Sequence, residues 1–228
     1  MKFVLLIWLA AIIKCNEGRE WTYCYPKSCD GKKHTLCEYG EWRRGPECNS
    51  VITNVVTDEE KKEILDTHNK LRRKVASGLE TRGNPGPQLG GIIPNLSWDK
   101  RLAIIAQAWA NQCQFKHDLC RDVRRFRVGQ NVGYTEHSFR SFDKLSVLII
   151  NWYDEVAYFP NYMVENYQPT GLPNVAHYIT LISGSTKKVG CGLVRHFTNS
   201  SMYRTLFVCN YGPRGNFIGE PVYQTNNG

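Results

Sequence analysis

His177 opens HYITLISGS, residues 177–185, and sets an imidazole within a few positions of two hydroxyls, Thr180 and Ser183. An imidazole titrates near neutral pH, so three roles are open to it: proton transfer beside a nucleophile, ligation of a metal, or a satisfied polar contact in a packed interior. The hydrolytic role needs a hydroxyl or thiol within reach of the ring and a third group to orient it. HYITLIS alternates as a strand would, with His177, Ile179 and Leu181 on one side and Tyr178, Thr180 and Ile182 on the other, which turns Thr180 away from the histidine. No GxSxG nucleophile elbow occurs in the chain.

The nine cysteines carry a second chemistry. Cys15 follows Lys2 and an apolar run from Phe3 to Ile13, too short to cross a bilayer but suited to a secretory signal peptide, expected over residues 1–18 with cleavage within 15–20. Loss of Cys15 leaves Cys24, Cys29, Cys37, Cys48, Cys113, Cys120, Cys191 and Cys209. An even number entering an oxidising compartment reads as four disulfides, whose connectivity the spacing alone does not choose. No CxxC pair supports a zinc site built from these thiols.

No later apolar segment approaches the roughly 18 residues of a spanning helix, so no stable membrane insertion is expected. The formal charge of +8 favours acidic surfaces or glycans; it is scattered, and secretion removes nucleic acid as a partner. The most basic run, RDVRRFRVG from Arg121 to Gly129, reads as a solvated surface. With no long apolar zipper, a monomer is the default.

The positioning elements follow from pattern. Residues 19–56 hold four cysteines and little apolar periodicity, an extension that cross-links must hold in place of a core. Residues 57–228 form the main domain. Thr57 and Glu60 make a capping box ahead of a helix of about five turns with Ile64, Leu65, His68, Leu71 and Val75 on one stripe and Gly78 as its stop. Glycines and prolines in ETRGNPGPQLGGIIPN mark a loop. A second helix starts near Asp99 with Leu102, Ile105, Ala106, Trp109 and Cys113 inward, and a third covers Asp143 to Phe159, where Glu155 is the polar intruder on an apolar face. STKKVGCGLVRHF and YRTLFVCNYG are strands joined around NSSM, which gives a layered α+β domain. His68 and Tyr211 read as packing residues, and Gly212, Gly215 and Asn216 as a structured turn. NLS at Asn95 and NSS at Asn199 are glycosylation sequons, the second in a loop.

HNKLR at His68, WANQC at Trp109, GQNVG at Gly129, HYITLI at His177, GCG at Gly190 and CNYGPRGN at Cys209 together resemble the cysteine-rich secretory, antigen 5 and pathogenesis-related (CAP) superfamily. LETRGNPGPQ, Leu79 to Gln88, resembles a loop of the insect antigen 5 branch of venom and salivary proteins. The resemblance implies an α-β-α sandwich and the pairings Cys24–Cys37, Cys29–Cys120, Cys48–Cys113 and Cys191–Cys209. It also implies a cleft of two histidines and two acids, which falls here on His117, Glu155, His177 and, in place of the first acid, Gln130. An amide there donates and accepts hydrogen bonds but has no charge and no useful pKa as a base.

On this reading His117, His177 and Glu155 are the candidate metal ligands, with zinc as the metal and no cofactor required. Thr180 and Ser183 depart from the family's usual HYTQMVW-like motif, which puts an inherited cleft function in doubt. The expected function is a secreted, non-enzymatic effector that binds a host protein or a small amphipathic ligand such as a lipid. The alternative is a metal-dependent or serine-type hydrolase using the His117, Glu155 and His177 cleft.

Overall fold

The computed structural model describes Cys24 and residues 27–169 and 175–226. The expected signal peptide and Cys15 lie outside these residues.

The extension contributes a short helix, α1 (Thr35–Tyr39), and a strand, β1 (Val51–Thr53). Helix α2 (Asp58–Ala76) starts as the capping pattern requires: Thr57 Oγ1 accepts from the Glu60 amide at 3.2 Å and the Glu60 carboxylate accepts from the Thr57 amide at 3.0 Å. It ends at Gly78, whose φ of 71° is the left-handed conformation glycine tolerates. The short strands β2 (Gly91–Ile92) and β3 (Ser97–Trp98) lead into α3 (Lys100–Ala110), capped by Asp99 Oδ1, which accepts from the Arg101 and Leu102 amides. Then come β4 (Gly129–His137), α4 (Leu145–Asp154), α5 (Ala176–Ile182), β5 (Lys188–Phe197), β6 (Tyr203–Gly212) and β7 (Gln224–Thr225).

β5 and β6 form an antiparallel hairpin, β4 pairs antiparallel with the far side of β6, and β1 (antiparallel) and β3 (parallel) both pair with β5. β2 and β7 make a separate antiparallel pair. One face of the large sheet packs against α3 through Ala106, Trp109, Val132, Val194, Leu206 and Val208. The other faces α2, α4 and α5, with Ile64, Trp152, Tyr178, Leu193 and Phe207 in the core. The result is the three-layer α-β-α sandwich. The GCG motif explains how closely α3 lies: a Cβ at Gly190 would fall 2.2 Å from the Ala103 nitrogen and one at Gly192 2.4 Å from Gln107 Cα. Helix backbone rests directly on strand backbone there, which no side chain permits.

The cysteines join as Cys24–Cys37, Cys29–Cys120, Cys48–Cys113 and Cys191–Cys209, with Cα separations of 5.2, 5.6, 5.0 and 4.1 Å. Cys29 and Cys48 fasten the extension to the segment after α3, and Cys191 lies directly opposite Cys209 in the β5–β6 ladder.

Three elements differ from the sequence expectation. HYITLI is helix, not strand: residues 176–182 form α5. Tyr178, Ile179, Leu181 and Ile182 are fully buried, so this helix has an apolar surface nearly all round and shows no 3.6-residue stripe. Its ends carry no local signal either, because Val175 at the N-cap offers no side-chain hydrogen bond. β4 was not foreseen, its run being broken by Gly129 and Gly133. The third helix is shorter than 143–159; α4 stops at Asp154 and the chain tightens into a 3-10 turn over Glu155–Tyr158.

What ends α5 comes from α2. Arg72 is wholly buried, and its guanidinium donates to Pro94 O (2.9 Å), Leu181 O (2.7 Å), Ser183 O (3.0 Å) and Thr186 O (2.9 Å). Burial pulls its pKa down to about 9, so it stays charged at neutral pH. Beside it His68 is fully buried, with Nδ1 on Ile64 O and Nε2 on the Tyr211 hydroxyl, both at 2.8 Å. The carbonyl can only accept, so Nδ1 carries the proton and Tyr211 donates to Nε2.

Arg72→Met is expected to destabilise the protein by about 3 kcal/mol or more, since it removes the guanidinium donor from four carbonyls, three of them on buried residues; urea unfolding of variant and parent measures the loss. Burial pushes the His68 pKa down to about 4, below the 6.5 of a free side chain. The unfolded chain therefore binds the proton first, and stability present above pH 6.5 declines as the pH falls toward 4. The pH dependence of the urea midpoint should flatten in His68→Gln, even though that variant starts less stable.

Candidate functional site

Glu155 sits where α4 gives way to its 3-10 turn and faces the start of α5. Its Oε1 accepts from His177 Nδ1 at 2.6 Å, and its Oε2 accepts from the backbone amides of His177 (2.9 Å) and Tyr178 (3.2 Å). The carboxylate thus caps α5 from another element, satisfying first-turn amides that the chain's own residue 175 leaves open. The same contact fixes the His177 tautomer: Nδ1 donates, and Nε2 is the nitrogen left for solvent or a ligand. The ring stacks on Trp152 at a centroid distance of 6.1 Å, and Trp152 stacks in turn on Phe207 at 5.4 Å. The His177 side chain is 22 % exposed and that of Glu155 15 %.

His117 follows α3, in the loop between Cys113 and Cys120. Its Nδ1 lies 2.8 Å from Gln130 Oε1. The Gln130 amide nitrogen donates to Asp118 Oδ1 (3.1 Å) and Asn210 Oδ1 (3.0 Å), so its oxygen is the end presented to His117, whose Nδ1 must donate. Asp118 is buried and also accepts from Thr35 Oγ1 and Arg121 Nε. His117 keeps an exposed edge, yet partial burial of its ring lowers its pKa. The Gln130 contact works in the opposite direction, and the charges of Arg121 and His177 add to the lowering.

The two histidines are near enough for charge on one to disfavour charge on the other. They approach from different layers. GQN lies on the edge strand β4, where successive side chains point to opposite faces. Gln130 turns toward His117, and Asn131 Nδ2 donates to the His177 carbonyl at 3.0 Å on the other face. Each imidazole holds its Nδ1 in a hydrogen bond and keeps Nε2 out of any hydrogen bond among the described residues.

Glu155 stands behind His177 rather than beside its open nitrogen. Among the described residues no three His, Cys, Asp or Glu side chains are placed to hold one ion. In helical α5 Thr180 is three residues from His177 and therefore a neighbour on its face, unlike in the strand reading. Even so, Thr180 Oγ1 is hydrogen-bonded to the Asn216 amide (2.8 Å) and Ser183 Oγ to Ser185 Oγ (2.9 Å). No hydroxyl or thiol among the described residues is hydrogen-bonded to His117 or His177.

Asp118, Asn131, Asn210 and Arg72 escaped the sequence reading. HDLC placed Asp118 beside His117, and the GQN motif contained Asn131, but only the sheet register brings Asn210 opposite Gln130. The glycine- and proline-rich loop also hides a buried anchor: Glu80 accepts from Lys74, Arg82 and the Tyr153 hydroxyl. Burial pushes its pKa up, but these donors outweigh burial and hold it well below the usual carboxylate range. The sequon residues Asn95 and Asn199 are both exposed.

Away from the histidines, an open groove of about 300 Å³ lies between residues 41–42 and 54–56 of the extension and the first turns of α3. Trp42, Val55, Trp98 and Ile104 line it, with Asp58 and Lys61 among its charged residues. Three of these apolar side chains, Trp42, Val55 and Ile104, are exposed.

Residues 65–211 match the Cysteine-rich secretory protein family, CAP. The chain is 42% identical over 226 residues to "Venom allergen 5" of Vespula maculifrons and 40% identical over 227 residues to "Venom allergen 3" of Solenopsis invicta, covering 97% of both chains in each pair. Among solved structures it resembles BmVAL-1 (TM-score 0.64, 26% identity, 79% of this chain and 87% of that one) and NaASP2 with Zn2+ (TM-score 0.61, 28% identity, 75% and 88%). The sandwich and these matches agree: the chain belongs to the CAP family, in its antigen 5 and venom allergen branch, and is a secreted, extracellular protein.

Proposed function

We propose that the protein is an effector that acts by binding, with a small amphipathic molecule as its ligand class. The observation that carries this is the groove between Trp42 and Ile104, which combines exposed apolar walls with charged residues. The cleft supports a non-catalytic reading. A base needs a substrate proton or a nucleophile within reach, and the Glu155 oxygens are committed to His177 and the α5 amides. Gln130 contributes no charge. Native mass spectrometry of the secreted protein should show a bound mass that gentle delipidation removes and Ile104→Arg prevents. Reproducible cleavage in a peptide-library digest, abolished by His177→Ala, would overturn the binding reading in favour of a hydrolase.

A second reading rests on the two open Nε2 atoms. His117 and His177, each oriented through Nδ1, fit as a pair of zinc ligands, with Glu155 and Gln130 as the groups behind them. The NaASP2 structure described with Zn2+ supports testing it. Zinc bound there would supply Lewis acidity, while this chain's residues orient the rings. Calorimetric titration should show zinc affinity lost in the His117→Ala, His177→Ala double variant and weakened about tenfold or more in Glu155→Gln. Unchanged binding in the double variant would place the metal elsewhere.

A further inference from the structure

The basic run read from sequence as a solvated surface changes character once folded. Val123 and Phe126 bond to one another's backbone and close a tight turn with Arg124 and Arg125 exposed at its tip. The turn is anchored. Val123 packs with Leu102, Ile105 and Val128, and the Phe126 ring lies on Gly212, where a Cβ would come within 2.2 Å of it.

The fold then adds charges that are distant in sequence. The Arg214 amide donates to Arg127 O at 2.7 Å, which sets the exposed residues 127 and 214 side by side. The Lys187 amide donates to Gly212 O at 3.0 Å, and Thr186 Oγ1 donates to Pro213 O at 2.8 Å, which brings exposed Lys187 to the same edge. Arg124, Arg125, Arg127, Arg214 and Lys187 form no ion pair among the described residues. Of the carboxylates in and beside the run, Asp118 is paired with Arg121, and Asp122, which keeps its charge, is turned to the Val128 amide and pairs with none of the five cations.

We infer that this edge is a docking surface for a sulfated glycosaminoglycan. Four guanidiniums and an ammonium, held on anchored backbone and lacking acidic partners, suit a chain of sulfates, because guanidinium donors pair with such oxyanions in a fork. Chain order joins the 124–125 tip to 127, and backbone bonds join 127 to 214 and the 212–213 segment to 187, so the charges gather from three segments onto one edge that a linear polyanion can follow. An extracellular location puts such chains within reach and nucleic acid out of it.

The test uses the full mature protein, with heparan sulfate oligosaccharides immobilised for surface plasmon resonance at physiological salt. Arg124→Gln, Arg125→Gln and Arg127→Gln together should weaken binding by about tenfold or more. A control removing three charges elsewhere, Lys32→Gln, Lys33→Gln and Lys70→Gln, should keep affinity within about threefold. Circular dichroism checks that both variants are folded, and the separate variant Arg214→Gln tests the second loop if the triple variant is not. No binding by the parent, equal losses in both triple variants, or binding to phosphatidylserine vesicles but not to the glycan would each overturn the proposal.

Discussion

A helix of seven residues, α5, is held at its two ends by opposite charges drawn from elsewhere in the chain. Glu155 takes two amides of its first turn, and Arg72 takes carbonyls at and just beyond its last. Each charge complements the helix dipole at its own end. A helix this short has little stability in isolation, so its existence depends on these clamps and on burial between α2, α4 and the sheet. The setting of His177 follows from these clamps. The carboxylate that fixes the helix start also fixes the His177 tautomer, so scaffold and site share one set of atoms.

That sharing explains what could be read in advance and what could not. Helices α2 and α3 announce themselves through Thr57, Glu60 and Asp99, whose capping bonds span a few residues. The β5 and β6 strands are legible because strand-favouring residues recur along them, among them Val189, Val194, Tyr203, Thr205, Phe207 and Val208, with the polar NSSM connection between. HYITLI misled because its caps lie 22 residues before His177 and over a hundred residues before Leu181 and Ser183. Of the cleft, the residue identities were accessible through family likeness, but their wiring was not. That Gln130 passes a contact from Asp118 to His117, or that Asn131 holds the His177 carbonyl, depends on strand register and pleat.

The extension poses a different physical problem. It is too poor in periodic apolar residues to make its own core, and it borrows the main domain's: cystines and the β1–β5 pairing fasten it, and Leu36 and Tyr39 of α1 pack on α3. Its Trp42 stays 73 % exposed and, with Val55, forms the extension's side of a groove whose other side is Trp98 and Ile104 of the main domain.

The GQN motif straddles the rim of the sheet, gripping the loop that follows α3 with one amide and α5 with the other. Any guest touching both imidazoles would therefore staple the outer layers of the sandwich together across that rim. A small slide of α5 relative to the α3 side would change the spacing between the two nitrogens directly, making that gap a gauge of how the layers are seated.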